Sequence, residues 1–217
     1  MKIEKTQNVP EDEHFPLAEL FGFDIRPYTE LHRFQAEEHI LCEGSRPEFL
    51  YYLINGRTKL YLTHGNGRVT LINFMTAPCF IGEMELLDGE KEADGVQAIT
   101  ECTCYAIRIS ECRDKLLNDT RFLRYLCRFL SKKAVGNTAN YSRNQAVPLK
   151  NRLSAFILQS SVNGWYREQH TEVAEFLGVS YRHLLYVIAE LVKEGVLEKK
   201  SQGYHIIDAS KLLEYSK

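Results

Sequence analysis

Residues 170–189 read HTEVAEFLGVSYRHLLYVIA and decide the fold of the C-terminal part of the chain. Apolar residues recur at helical spacing on both sides of a glycine, at Val173, Ala174, Leu177, Leu184 and Val187. A small residue such as Ala174 lets two helices cross closely, and Gly178 suits a turn in which a side chain would be strained. The stretch therefore predicts a helix-turn-helix.

The second helix of this motif is predicted to begin after Ser180, whose hydroxyl can accept a hydrogen bond from a free amide of the first turn. A helix of this kind lies in the major groove of DNA, with its N-terminal residues nearest the base edges. Helical spacing points Tyr181, Arg182 and Tyr186 away from the first helix. We therefore predict that these three side chains read bases.

A hairpin is predicted in residues 196–208, VLEKKSQGYHIID, directly after the helix-turn-helix. Its tip carries two lysines that suit contacts with the phosphate backbone. Two helices around a glycine also occur in enzymes and protein-interaction modules, but the serine cap and the basic hairpin together favour a winged helix that binds duplex DNA. The predicted DNA contacts are Thr171, Ser180, Tyr181, Arg182, Leu185, Tyr186, Lys199 and Lys200.

Charge is distributed unevenly along the 217 residues. Residues 1–110 carry 10 Lys and Arg against 18 Asp and Glu, a net charge of −8, whereas residues 111–217 carry 17 against 11, a net charge of +6. Nucleic-acid binders use a basic half of this kind to meet phosphates, although long helices also carry solvated Lys and Arg. The asymmetry agrees with double-stranded DNA as the partner of the C-terminal part.

Residues 31–108 contain short apolar runs separated by turn signals: ILC, FLYYLI, TKLYL, VTLINFM, CFIGEM and CTCYAIRI. Asn55-Gly56 and residues 64–67, HGNG, separate neighbouring runs and tolerate the positive φ of tight hairpins. Short strands at this spacing predict an antiparallel sandwich, barrel or roll.

After Ser110 the apolar period changes to three and four residues, which predicts a long helix. The seam of this helix is predicted at Leu123, Leu126, Leu130 and Asn137. One interpretation is a dimerisation helix with a polar tail that fixes register; the other is a helix whose first half packs on the β domain and whose second half is solvated. Residues 142–148, SRNQAVP, contain the next helix breaker. The predicted domains are 1–110, 111–147 and 148–217.

Six cysteines occur without a Cys-x-x-Cys pair, which is typical of small buried apolar residues in a reducing cytosol. Cys102 and Cys104 lie two residues apart in a strand-like run and should share a face, so a redox pair remains an alternative. No run of about 18 apolar residues occurs, and the N-terminus lacks the apolar region of a secretory signal. We therefore predict a cytoplasmic protein without a membrane partner.

Enzyme motifs are absent from the sequence. A cupin-like β-barrel enzyme, one alternative for the β region, needs a His-x-His pair with further ligands, and the chain has no such pair. A Walker-type phosphate loop, a Gly-x-Ser-x-Gly elbow and a His-Glu-x-x-His helix are also missing. The sequence therefore predicts a non-enzyme without metal or cofactor. A redox- or ligand-sensing dimer that acts through protein contacts remains the other alternative.

Three stretches resemble the CRP/FNR family of bacterial regulators: residues 40–61, residues 79–87 and the helix-turn-helix. Residues 66–87, 96–102 and 177–187 are similar to the YeiL branch of that family. The resemblance implies an α+β chain with an N-terminal antiparallel β-roll (jelly-roll-like, of the cyclic-nucleotide-binding-domain type), a long dimerisation helix and a C-terminal winged helix-turn-helix. It also implies a homodimer on a palindromic operator, with RNA polymerase as a partner.

The resemblance locates an effector pocket in the roll, at Gly82, Glu83, Met84, Glu92 and Ala93. Glu83 matches the acid that takes the ribose in cyclic-nucleotide-binding members, but Glu92 and Ala93 occupy the positions of the Arg-Ser pair that grips the phosphate there. Because a carboxylate repels a phosphate, we predict that the pocket does not bind cyclic AMP, although Lys91 could supply a cation. The effector is then an unknown small molecule or none. Iron-sulfur members carry an N-terminal cysteine cluster, but no cysteine precedes Cys42.

Overall fold

The computed structural model describes residues 15–67 and 69–217 together with the backbone of residues 4–6; within 137–145 it describes the backbone only. Residue contacts group the chain into two compact units, Met1–Leu62 with Met75–Val135, and Thr63–Phe74 with Gly136–Lys217. These units do not coincide with the predicted division at residues 110 and 147. The first part of the long helix groups with the roll, and Leu71 is buried in the core of the second unit.

The strands of the N-terminal part form two antiparallel sheets. They are β1 (Glu4–Thr6), β2 (Thr29–Phe34), β3 (His39–Leu41), β4 (Phe49–Asn55), β5 (Arg57–Thr63), β6 (Val69–Thr76), β7 (Cys79–Ile81), β8 (Gly95–Ala98) and β9 (Cys102–Arg108). One sheet has the order β1-β2-β9-β4-β7 and the other β3-β8-β5-β6. This is the predicted antiparallel β-roll. Strands β1, β2 and β8 were not among the apolar runs that predicted strands, and the run CFIGEM is a strand only as far as Ile81.

Both faces of the five-stranded sheet are covered by other parts of the first unit. On one face, Tyr51 and Leu53 of β4 belong to a core that also contains Val96 of the second sheet. On the other face, Leu50 and Tyr52 pack in a core with residues of the helices that follow β9. Coverage on both faces explains why the run FLYYLI is continuously apolar instead of alternating.

The turn at Asn55-Gly56 is present, as the sequence predicts, and it requires glycine. Gly56 has a φ of 105°. A Cβ at this position would lie 2.6 Å from both Cys102 Sγ and the Glu101 carbonyl oxygen. Real Cβ atoms do not make contacts as short as these, so only glycine fits at position 56.

The long helix predicted after Ser110 is in fact two helices, α2 (Ile109–Asn118) and α3 (Thr120–Ala146), which follow the short α1 (Glu83–Leu87). Asp119 separates them with extended backbone angles. Its carboxylate accepts hydrogen bonds from the backbone N–H of Arg121 at 2.9 Å and of Gly22 at 2.7 Å. An aspartate that bonds nearby amides favours a helix start over a helix interior, which accounts for the break.

The C-terminal unit is a winged helix-turn-helix, as predicted. Its elements are α4 (Leu149–Ser160), β10 (Trp165–Tyr166), α5 (His170–Phe176), α6 (Tyr181–Lys193), β11 (Leu197–Lys200), β12 (Gly203–Ile206) and α7 (Ala209–Tyr215). The strands form a sheet of order β10-β12-β11. Strand β10 and helix α7 were not predicted, and Leu212 of α7 is fully buried in the core that α4 and α6 share. The α+β class is confirmed. None of the described helices combines the length and the apolarity that crossing a bilayer requires.

Candidate nucleic-acid interface and sensor pocket

Helices α5 and α6 pack through the apolar residues that the sequence singled out. The buried positions are Val173, Ala174, Leu177, Leu184 and Val187. Gly178 adopts the left-handed conformation with a φ of 64°, and the N–H of Val179 after it donates to the Ala174 carbonyl at 2.9 Å. The turn therefore has the geometry that the glycine predicts, and it fixes the angle between the two helices.

Ser180 caps α6, as predicted. Its Oγ accepts a hydrogen bond from the backbone N–H of His183 at 3.2 Å, and its carbonyl accepts one from Leu184 at 3.0 Å. The cap satisfies one of the amides that a helix start leaves without an intrahelical partner. Helix α6 thus begins in a defined place on the surface of the unit.

The outer face of α6 carries large side chains that are at least half exposed. Tyr181 is 50% exposed and Tyr186 is 70% exposed. Arg182 is also exposed, whereas Leu185 is half-buried. The apolar residues that pack in the core lie on the opposite face of α6. The tyrosines on the outer face therefore do not serve the packing of this helix. The exposed face is free to meet a partner.

The wing consists of β11 and β12, in which Lys199 pairs with Tyr204 across the hairpin. Both tip lysines are exposed, as is Thr171 at the start of α5. Lys200 Nζ lies 2.6 Å from Glu198 Oε1, an ion pair that the sequence analysis did not anticipate. An exposed pair of this kind is weak, but it engages the ammonium group that the sequence analysis predicted to contact a phosphate.

Sequence reasoning missed Arg152, which positions the helix-turn-helix from behind. This residue of α4 donates from Nε to the Val147 carbonyl at 2.9 Å and from Nη1 to the Leu177 carbonyl at 2.5 Å. Leu177 is the C-cap of α5, so the guanidinium satisfies a carbonyl at the end of the first helix. Burial lowers the pKa of Arg152. This role depends on the contact between Arg152 and Leu177, which are 25 residues apart in the sequence, and no local motif indicates it.

Glu83 is the central residue of the predicted sensor pocket. It follows Gly82, the N-cap of α1, and its side chain is enclosed, with the whole residue 2% exposed. Lys133 of α3 donates from Nζ to Glu83 Oε1 at 2.7 Å. Met84, the next predicted pocket residue, is 42% exposed instead of enclosed. The acid that would take a ribose therefore already has a cationic partner from the same chain, and nothing in the sequence pattern indicated Lys133.

The remaining residues of the predicted pocket are Glu92 and Ala93, with Lys91 beside them. Ala93 is buried and bonds through its backbone, while Glu92 is exposed. Lys91, the cation that could have replaced the missing guanidinium, donates to Glu85 at 3.0 Å and to Asp94 at 3.4 Å. Burial by itself lowers the pKa of Lys91, but the interactions with Glu85 and Asp94 together outweigh it and raise the pKa. The ammonium charge is thus balanced internally.

The predicted dimer seam is only partly available at the surface. Leu126 is buried with Phe122 in the core of the roll, so it is not available to pair with a second copy of the chain. Its burial results from the covering of the outer sheet face by α3. Leu123 and Leu130 are half-buried beside the same core and keep some exposure. The side chain of Asn137 lies outside the described residues.

Cys102 and Cys104 are both fully buried in the core between the sheets. Burial raises the pKa of the Cys104 thiol well above its usual range and raises that of Cys102 as well. Cys79 belongs to the same core, and burial raises the pKa of its thiol to about 12. Because the thiolate is the reactive form, this environment favours the core interpretation over a redox pair.

Comparison with known proteins places the chain among transcription regulators. Residues 31–119 match the model of the cyclic nucleotide-binding domain. The chain is 50% identical over 192 residues to the regulatory protein YeiL of Escherichia coli O157:H7, which covers 88% of each chain. It is 24% identical over 76 residues, 35% of this chain and 36% of the relative, to the cAMP-activated global transcriptional regulator CRP of Salmonella typhimurium.

The fold is also similar to that of solved regulators. A solved structure of a CRP/FNR-family transcriptional regulator from Thermus thermophilus superposes with a TM-score of 0.65 at 21% identity, covering 86% of this chain and 97% of that one. Sequence identity over most of the length, the matched domain and the shared fold agree. The chain therefore belongs to the CRP/FNR family of transcription regulators, in its YeiL branch.

Proposed function

We propose that this regulator binds DNA sequence-specifically as a homodimer on a palindromic operator, and that its roll does not bind cyclic AMP. The observation that carries the proposal is the outer face of α6, where a capped helix start presents Tyr181, Arg182 and Tyr186 to the surface. This is the geometry with which helix-turn-helix proteins enter the major groove. The site of action is the cytoplasm, where a bacterial chromosome lies.

The contacts divide into base readers and phosphate contacts. Arg182 offers two parallel donors to a guanine, and the tyrosines reach thymine methyls or phosphates. Leu185 adds an apolar contact beside them. The phosphate contacts are Thr171, Ser180, Lys199 and Lys200. Base reading thus comes from α6, and the phosphate contacts come from the start of α5, the cap of α6 and the wing.

Two-fold symmetry follows from pairing through α3. Leu123 and Leu130 retain exposed surface for a second copy, and two recognition helices would then meet major-groove faces about one helical turn apart. RNA polymerase is the further protein partner of a regulator that acts at promoters. The chain carries no reaction chemistry in this proposal.

Rejection of cyclic AMP rests on charge. A nucleotide would have to displace Lys133 from Glu83 and bring its phosphate towards Glu92, with no guanidinium to receive it. In calorimetry we expect no heat of binding from cyclic AMP with the full chain. Tight binding would contradict this part of the proposal and leave DNA binding untouched.

DNA binding is tested by selecting bound duplexes from a random pool with the full chain, under reducing and oxidising conditions. The expected product is a palindrome with half-sites one turn apart, and the affinity for it should fall steeply as salt rises because counterions are released. Recovery of no preferred duplex would favour a module that acts through protein contacts. A site recovered only under one redox condition would favour a thiol sensor instead.

A further inference from the structure

A cleft of about 340 Å³ opens beside the proposed reading helix, where the turn into α5, the start of α6 and the wing meet. Its walls include Tyr166, Arg167, His170, Thr171, Tyr181 and Tyr204. Thr171 and Tyr181 are proposed DNA contacts, so the cleft opens on the face that a duplex would cover. The cleft lies outside residues 31–119, which match the cyclic nucleotide-binding domain.

His170 is half-buried in the cleft and is held there by aromatic rings. Its imidazole stacks on Tyr166, with the ring centroids 6.2 Å apart and the planes at 17°, and its centroid lies 5.6 Å from that of Tyr204. The Tyr166 hydroxyl is buried and has no hydrogen-bond partner among the residues described. The ring of His170 is therefore positioned by packing.

The charges around His170 favour its neutral form in the free protein. Burial lowers the pKa of His170, and Lys199 of β11 lowers it further. Arg167 and Glu168 precede the residue in the chain, and Tyr166, Tyr181 and Tyr204 are the titratable groups that β10, α6 and β12 bring to the cleft. Burial raises the pKa of Tyr166 and of Tyr204, so these two tyrosines carry no charge near pH 7 that could offset the neighbouring lysine.

We propose that His170 takes up a proton when a DNA phosphate approaches this cleft, which makes duplex binding tighter at acidic pH. The inference rests on the proposed DNA-binding function and adds a pH response to the same interface. A phosphate brings negative charge next to the ring and so stabilises the imidazolium, opposing the effects of burial and of Lys199.

The sign follows from linkage between proton and DNA binding. Because the complex holds the proton more tightly than the free protein, the affinity gain is complete below the free-state pKa of His170. It is lost as the pH rises through the pKa of the complex. One linked proton changes the affinity by at most about tenfold per pH unit.

The test measures fluorescence anisotropy of the full chain on a selected duplex of about 30 base pairs, between about pH 5.5 and about pH 8 at constant salt. We expect the wild type to bind about fivefold tighter or more at the acidic end. His170→Gln should give a nearly flat profile close to the wild-type affinity at high pH. His170→Arg keeps a charge at every pH, so it should bind tightly with a flat profile. His205→Gln, which changes a wing histidine outside the cleft lining, should keep the wild-type response.

Calorimetry in two buffers of different ionisation enthalpy counts the proton directly and does not depend on any variant. Proton uptake by the wild type that disappears in His170→Gln supports the inference. A wild-type affinity independent of pH, or an unchanged pH response in His170→Gln, overturns it while leaving DNA binding intact. Failure to bind the duplex at every pH overturns the proposed function itself.

Discussion

Helix α6 leaves Tyr181 and Tyr186 on its surface, whereas Glu83, the acid of the predicted sensor pocket, is enclosed and paired with Lys133. In the C-terminal unit, these tyrosine side chains therefore remain accessible to a partner. In the predicted pocket, the ammonium group of Lys133 is already paired with the Glu83 carboxylate. The chain thus leaves its predicted DNA-reading face exposed and neutralises the acid of its predicted pocket with one of its own lysines.

The largest expected effect concerns the packing that supports the exposed face of α6. Leu184→Ala removes a fully buried side chain between α5 and α6, and we expect a loss of about 2–5 kcal/mol in the free energy of unfolding. Urea denaturation followed by circular dichroism measures it. Leu213→Ala is the matched control, because this leucine is 55% exposed and its loss should cost within about 0.5 kcal/mol. Equal losses in the two variants would mean that Leu184 does not support α6.

Breaking the closed pocket is expected to have the next largest effect. Lys133→Met leaves the Glu83 carboxylate buried without its cation, and we expect a loss near the lower end of about 3–5 kcal/mol because the lysine is partly exposed to water. Urea denaturation again gives the value. Stability equal to that of the wild type would show that the pair does not hold α3 to α1.

A double variant sharpens this prediction. Glu83→Leu combined with Lys133→Met replaces both charges with apolar groups of similar size, and such replacement of a buried pair is often neutral. We therefore expect the double variant to recover most of the stability that Lys133→Met loses. If the double variant is less stable than the single one, the two side chains contribute separately and the closed-pocket interpretation is wrong.

The helix-turn-helix was predictable because its determinants are local. The apolar spacing, Gly178 and the Ser180 cap all fall within residues 170–189, and each acts on neighbours a few positions away. The antiparallel roll was predictable as a class from short runs and turns. Its sheet order was not, because pairing such as that of β2 with β9 joins residues that are distant in sequence.

The pocket and the helix break depended on distant contacts as well. Lys133 lies 50 residues from Glu83, and Gly22 lies 97 residues from Asp119. The sequence predicted that the pocket lacks a phosphate ligand, since that depends on the residue types at 92 and 93. The sequence did not indicate which cation pairs with Glu83, because sequence alone brings no particular lysine close to that acid.

Arg182→Ala tests whether the exposed face of α6 reads sequence. Loss of a bidentate contact with guanine should weaken binding to the preferred operator by about 1–3 kcal/mol and relax the preference at one base position. Binding titrations on the operator and on a variant with that base pair changed measure both effects. Lys193→Ala at the far end of α6 is the control and should change neither. An equal loss on both duplexes would identify Arg182 as a phosphate contact.

The smallest expected effect separates the two lysines at the wing tip. Each lost phosphate contact lowers the slope of log K against log salt by about one, so Lys199→Ala should reduce that slope by about one. Lys200→Ala should reduce it less, because Lys200 already pairs with Glu198 at 2.6 Å and gives up that pair to reach DNA. Glu198→Gln removes the competitor and should strengthen binding at low salt only when Lys200 is present. A larger effect from Lys200 than from Lys199 would contradict this ranking, and no change from either would place the wing away from the duplex.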